Sequence, residues 1–154
     1  MIFILASCGS STNKLQEDNV ALVKNYVAAV ESLNYAAMGD YLADNYMGLG
    51  PSYGDTIYKK EAVENWKANV AKVYEKIEHT LATYAPVTIA DGPSKGDWVV
   101  CLSELKITFK SGKSVMIWAN SDYKVENGKI VKTITLYNEA DALRQMGFEI
   151  IAPQ

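Results

Sequence analysis

Apolar residues recur at helical spacing in the first third of the chain. Val20, Val23, Val27, Val30 and Leu33 fall on one stripe, as in an amphipathic helix that buries one face. Asp18 suits the N-cap, where a carboxylate accepts from an orphan N–H, so the helix is expected to start near Asn19. A second, short helix is expected around Tyr35–Ala43. Gly48, Gly50, Pro51 and Gly54 predict an irregular stretch. A third helix is expected from about Lys60 to Lys76, with Ala62, Val63, Trp66, Val70, Val73, Tyr74 and Ile77 as its apolar stripe. The period then drops to two. Strands are expected over His79–Ile89, closed by Asp91-Gly92-Pro93, and over Trp98–Phe109, turned back at Ser111-Gly112. Val115–Val125 and Ile130–Tyr137 form two more, joined by the hairpin signal Asn127-Gly128. Ala140–Met146 is expected to make a helical turn ending at Gly147. No internal repeat is present.

Helices followed by an antiparallel meander predict an α+β fold. A long curved sheet wrapped around helices leaves a conical cavity between them. In the last strand one parity holds Ile130, Ile134 and Leu136, and the other holds Val131, Thr133, Thr135 and Tyr137. Apolar residues on both faces mean that neither is simply wet. A polar-studded cavity is expected on one face, and a helix or a second subunit on the other.

Composition narrows the chemistry. The 154 residues carry 18 Asp and Glu against 15 Lys and Arg, which argues against broad nucleic-acid binding. Two Cys and one His are too few for a zinc site of those ligands, and no cofactor or metal is expected. Tyr dominates the aromatics, 10 against 3 Trp and 3 Phe. A phenol is an apolar body with a polar tip, suited to a half-wet pocket or an interface. Gly48, Gly50 and Gly54 do not precede a phosphate-binding helix start. Lys59, Lys60, Lys67, Lys72 and Lys76, with Glu61, Glu64 and Glu75 among them, read as a solvated helix face.

The first residues carry an address. Ile2–Ala6 is apolar but far shorter than the ~20 residues of a membrane span. Leu5-Ala6-Ser7-Cys8 resembles the lipobox of bacterial lipoproteins, in which the chain is cut before the Cys and its thiol is lipidated. No basic segment precedes it, which puts the expected start upstream of Met1. The expected division is a partial lipoprotein signal peptide over 1–7, a polar tether over 8–17, a domain over 18–147 and a C-terminal tail over 148–154. Cys8 is the expected lipidation site and membrane attachment. Cys101, in the apolar run Trp98–Leu102, is expected to be a buried thiol.

The order of elements over roughly residues 18–147 resembles the nuclear-transport-factor-2-like superfamily, with its SnoaL-like cyclases and ketosteroid isomerases. Its local pieces are Tyr41-Leu42-Ala43-Asp44-Asn45-Tyr46, Lys60-Glu61-Ala62-Val63 before Trp66, Glu126-Asn127-Gly128-Lys129-Ile130-Val131, and Ala142-Leu143-Arg144-Gln145-Met146-Gly147. The resemblance implies a cone of N-terminal helices packed on a curved antiparallel sheet that encloses a cavity. It does not imply one activity.

Carried over from ketosteroid isomerases, the donor Tyr falls on Tyr26, the base on Gly50 before Pro51, and the second donor on Asn120. Glycine cannot take a proton, which speaks against isomerase chemistry. Asp44, Asp55 and Asp122 are the nearby carboxylates in sequence. The cyclase branch uses an acid–base pair of Asp and His type. His79 is the only His, and a helix-end residue beside Glu78 is preferred over a group at the cavity mouth. Epoxide-hydrolase relatives need an Asp-Arg-Asp set, and the only Arg is Arg144 in the tail.

The same register names a pocket of Tyr26, Trp66, Trp118, Asn120, Thr133, Thr135 and Tyr137. Trp66 reads first as core, Trp118 equally as core or ligand contact, and the two Thr also as strand formers. Together they suit a small-molecule site. The leading expectation is a lipid-anchored envelope protein, sorted to the outer membrane, that binds a small hydrophobic or amphipathic molecule without catalysis. One alternative is a SnoaL-like or isomerase-type enzyme with Asp122 or His79 as a relocated base. Another is an interaction module that forms a homodimer through the sheet.

Overall fold

The structure, a computed structural model, describes residues 9–149 and residue 151, with side chains described from Asn13 on. In chain order the elements are α1 (Gly9–Glu31), α2 (Tyr35–Tyr41), β1 (Leu42–Leu49), β2 (Thr56–Tyr58) and α3 (Lys59–Lys72). They continue with β3 (Tyr74–Ile89), β4 (Gly96–Phe109), β5 (Ser114–Glu126), β6 (Lys129–Tyr137) and α4 (Glu139–Gln145). The strands form one unclosed sheet in the order β2-β1-β6-β5-β4-β3. Four of its pairings are antiparallel, and β1 runs parallel to β6. This is the α+β cone expected from the order of elements.

Val23, Tyr26, Val27 and Val30 on α1 are buried at helical spacing against the inner face of the sheet. Each contributes roughly 1.5–3 kcal/mol by leaving water. The helix starts at Gly9, ahead of the expected cap. Lys14, Leu15, Gln16 and Glu17 are all helix formers with no Gly or Pro among them, so Asp18 is interior and the segment read as a tether is helical from Gly9. Cys8 and the signal-peptide motif lie outside the described residues. At the other end Leu33 adopts φ 55°. Its N–H donates to Val30 O at 3.0 Å and that of Asn34 to Ala29 O at 2.9 Å, a Schellman stop with Leu where Gly is usual. Asn34 then caps α2, accepting from the Ala37 N–H at 3.1 Å.

Two strands were hidden in the expected helix end and loop. β1 covers Leu42–Leu49, with Leu42, Tyr46 and Gly48 buried. A Cβ at Gly48 would lie 2.7 Å from the Tyr46 hydroxyl of the same strand, 2.9 Å from Ile57 Cγ2 and 3.2 Å from Thr133 Oγ1. Glycine is what the close packing of Tyr46, β2 and β6 requires, and it breaks the alternating pattern a strand shows in sequence. α3 ends at Lys72 and β3 begins at Tyr74, so His79 sits inside a long strand and not at its start.

Two irregularities in register set which side chains face inward. On β3 the pairing with β4 shifts between Thr80 and Thr83, and Leu81 takes φ 51°. On β6 Ile130 pairs with Val125 while Lys132 pairs with Lys124, leaving Val131 as the extra residue of a bulge. The bulge resets the parity. Ile130 turns into the core with 0% exposure, whereas Ile134 and Leu136 point to the outer face. The three are therefore not on one side, as plain alternation would have them. Beyond the end of β6 the amide of Gln145 on α4 continues the ladder. Its Oε1 accepts from the Met116 N–H at 2.9 Å and its Nε2 donates to Met116 O at 2.8 Å.

Candidate functional site

Between α1, α3 and the inner face of the sheet lies a cavity of about 230 Å³. Its hydroxyls come from five elements: Tyr26 on α1, Tyr46 on β1, Tyr74 on β3, Ser121 and Tyr123 on β5, Thr133 and Thr135 on β6. Tyr46 Oη and Thr133 Oγ1 are 2.6 Å apart in a buried hydrogen bond. Ser121 Oγ and Thr135 Oγ1 are 3.3 Å apart. The Tyr26 ring stands edge-on to Tyr123, with centroids 5.7 Å apart, a favourable aromatic geometry. Burial pushes the phenols of Tyr26, Tyr46 and Tyr123 up from their ordinary value, so at neutral pH they stay protonated and can donate. Val27, Val30, Ile57, Trp66, Leu105 and Ile107 supply the apolar wall.

One imidazole reaches this cavity. His79 lines it, and its side chain is 14% exposed. Glu31, the last residue of α1, accepts the His79 backbone N–H at Oε1, 2.7 Å away. The same oxygen lies 3.5 Å from His79 Nδ1, too far for a good hydrogen bond. Nδ1 is buried and has no hydrogen-bond partner among the described residues. Burial pulls the imidazole below its ordinary value while Glu31 opposes that shift. The ring is therefore uncharged at neutral pH, with Nδ1 turned to Glu31.

Of the residues named from sequence, Tyr26, Trp66, Thr133 and Thr135 are brought together here, and so is His79. Tyr137 shares the inner face of β6 with Thr135 but lies beyond the cavity lining. Burial raises its phenol, with Glu139, Tyr74 and Asp55 adding to the effect. Trp118 and Asn120 point the other way, which corrects their expected place in the pocket, and so does Asp122, the candidate relocated base. Cys101, Ser121 and Thr135 are paired across three strands, as are Leu102, Asn120 and Leu136. Adjacent residues face opposite sides, so Asn120 is outside if Ser121 is inside. Trp118 is 60% exposed, and Asn120 Nδ2 donates to Asp122 Oδ1 at 3.0 Å on that outer face.

Gly50 has φ +94°, and a Cβ there would lie 2.2 Å from Thr135 O. This backbone leaves no room for a carboxylate at that position. Cys101 is buried at 2% exposure, as expected, and burial pushes its thiol up.

Tyr46, Ser121, Tyr123 and Glu31 were missed. A signal for two of them exists. Val115, Ile117, Ala119, Tyr123 and Val125 share one parity of β5, and all are buried. The other parity holds Met116, Trp118, Asn120, Asp122 and Lys124, so the better-buried set was the inward one.

Comparison with known proteins fits this geometry. The model of the SnoaL-like domain family matches residues 23–133. No curated protein matches the chain in sequence. Among solved structures, a candidate polyketide cyclase of Xanthomonas campestris pv. campestris superposes with a TM-score of 0.70 at 12% identity, over 84% of this chain and 97% of that one. An LEH-like epoxide hydrolase of M. tuberculosis gives 0.66 at 13% identity, over 84% and 89%. A hypothetical protein of Catenulispora acidiphila with a ketosteroid isomerase-like fold, in complex with trimethylamine, gives 0.65 at 17%, over 83% and 93%. These likenesses concern the fold, and the family match spans most of the domain: this chain belongs to the SnoaL-like domain family.

Proposed function

We propose that the chain is a lipid-anchored protein of the bacterial cell envelope, at the outer membrane, whose domain binds a small, partly apolar molecule without transforming it. The observation that carries the binding reading is the cavity itself, with phenol, serine and threonine hydroxyls set among aliphatic side chains and Trp66. The absence of catalysis rests on Gly50, which occupies the base position of ketosteroid isomerases and is packed against Thr135 O. The anchor rests on the Leu5–Cys8 motif.

The test is a thermal-shift screen of small molecules against the full chain and a cavity-filling variant, Ser121→Leu. Hits should raise the Tm of the first and not of the second. Hits that shift both equally, or that are lost in Trp118→Ala, would refute the cavity as the site. Incorporation of a labelled fatty acid, abolished by Cys8→Ala, tests the anchor.

A second reading is favoured by one observation, the buried and unpartnered Nδ1 of His79 beside Glu31. An uncharged imidazole so placed can accept a proton at Nε2 while Glu31 stabilises the imidazolium. Turnover of an enolisable ketone that is lost in His79→Gln would select this reading over binding alone. A third reading, a homodimer, is favoured by the exposed Leu102, Met116, Trp118 and Leu136 on the outer face.

A further inference from the structure

The inner cavity has a neighbour with which it shares Trp66. A second chamber of about 400 Å³ lies between α2, α3 and β1. Tyr26, Tyr46, Gly50, Ile57 and Trp66 line both spaces, so the two adjoin across these side chains. Met38, Leu42, Ala62 and Val63 give the second chamber an apolar wall, and Asn65 and Asn69 on α3 are polar groups in its lining. Among the described residues, no Asp, Glu, Lys or Arg contributes to the lining of either chamber.

We infer that the ligand is an uncharged, elongated molecule spanning both chambers, with its hydrogen-bonding end among the Tyr and Thr hydroxyls and its apolar end between α2 and α3. The inference rests on the proposal that the cavity binds a ligand, and it names the class. A carboxylate or ammonium drawn into this lining would lose its water and find no counter-charge, since burial keeps the His79 imidazole uncharged at and above neutral pH. A carbonyl or hydroxyl would find donors and acceptors on Tyr26, Tyr46 and Thr133. Size gives the second half of the argument. At ~30 Å³ for each water-sized group, the inner cavity seats roughly eight non-hydrogen atoms. A longer molecule enters the second chamber, where each buried methylene tightens binding about fourfold.

The test is calorimetric titration of the full chain with a series of 2-alkanones from 2-pentanone to 2-undecanone, and with decanoate at pH 8. Affinity should keep rising past 2-heptanone, which fills the inner cavity, and decanoate should bind at least tenfold more weakly than 2-undecanone. Val63→Phe and Asn69→Phe each narrow the second chamber from a half-buried position on α3. In whichever variant keeps the cooperative thermal transition of the parent, the gain beyond 2-heptanone should disappear and 2-pentanone affinity should hold. A plateau at 2-heptanone in the parent chain, a gain that survives in the folded variants, or decanoate binding as tightly as the ketone would overturn the inference and leave the binding proposal standing. No binding at any length, with no other hit in the thermal-shift screen, would overturn both.

Discussion

One carboxylate oxygen of Glu31 holds His79 from two sides, accepting its backbone N–H at 2.7 Å and facing its Nδ1 at 3.5 Å. The contact ties the end of α1 to the interior of β3, so the only imidazole of the chain is fixed at the cavity wall.

The pH dependence of stability follows from that placement. Burial lowers the folded His79 below its ordinary value, so the unfolded chain binds the proton more readily. Stability is complete above the unfolded value of about 6.5 and is lost as pH falls below it. The urea midpoint should drop between pH 7.5 and pH 5.5, and His79→Gln should flatten that drop. Glu31→Gln should lower the imidazole further, read from the single histidine resonance by NMR. An upward shift in that variant would contradict the assignment.

Gly50 should tolerate no side chain. A Cβ meets Thr135 O at 2.2 Å in a left-handed backbone, so Gly50→Ala should cost more than about 2 kcal/mol in urea unfolding. Gly92 has φ +78°, and no atom of the described residues lies within 4 Å of a Cβ there. Gly92→Ala should cost only about 1 kcal/mol. Equal losses would mean that backbone conformation, and not the contact with Thr135, sets the requirement at Gly50.

The Tyr46–Thr133 hydrogen bond is buried at 2.6 Å. Tyr46→Phe and Thr133→Val should each cost about 1–2 kcal/mol, with a double-mutant coupling of about 1 kcal/mol. Additive losses would show that the two hydroxyls do not depend on each other.

Trp118 is the counter-case. It is 60% exposed on the outer face, so Trp118→Ala should change stability by less than about 1 kcal/mol and leave ligand affinity unchanged. If the outer face is a homodimer interface, light scattering should report a dimer for the parent and a monomer for the variant.

Much of the fold was legible because it rests on period. Val23, Val27 and Val30 mark a helix face, and Asn127-Gly128 marks a hairpin, whatever surrounds them. β1 was not legible, because Gly48 answers to the way Tyr46, Ile57 and Thr133 pack around it, which no local pattern announces. Half of the site was read correctly for the same reason, since Thr133 and Thr135 alternate on one strand. Trp118 and Asn120 were misplaced by one residue, and in a strand one residue exchanges the faces. The Val131 bulge shows how a single extra residue does the same to Ile130. Glu31 was not recoverable, because its partner lies 48 positions away and no spacing links them.

The most direct test of the central claim is a crystal structure of the protein soaked with a neutral hit from the thermal-shift screen. The account predicts density between Tyr26, Tyr46 and Thr133, with a ligand oxygen within hydrogen-bond distance of one of those hydroxyls. Density confined to the outer face beside Trp118, with the inner cavity closed by its own side chains, would contradict it.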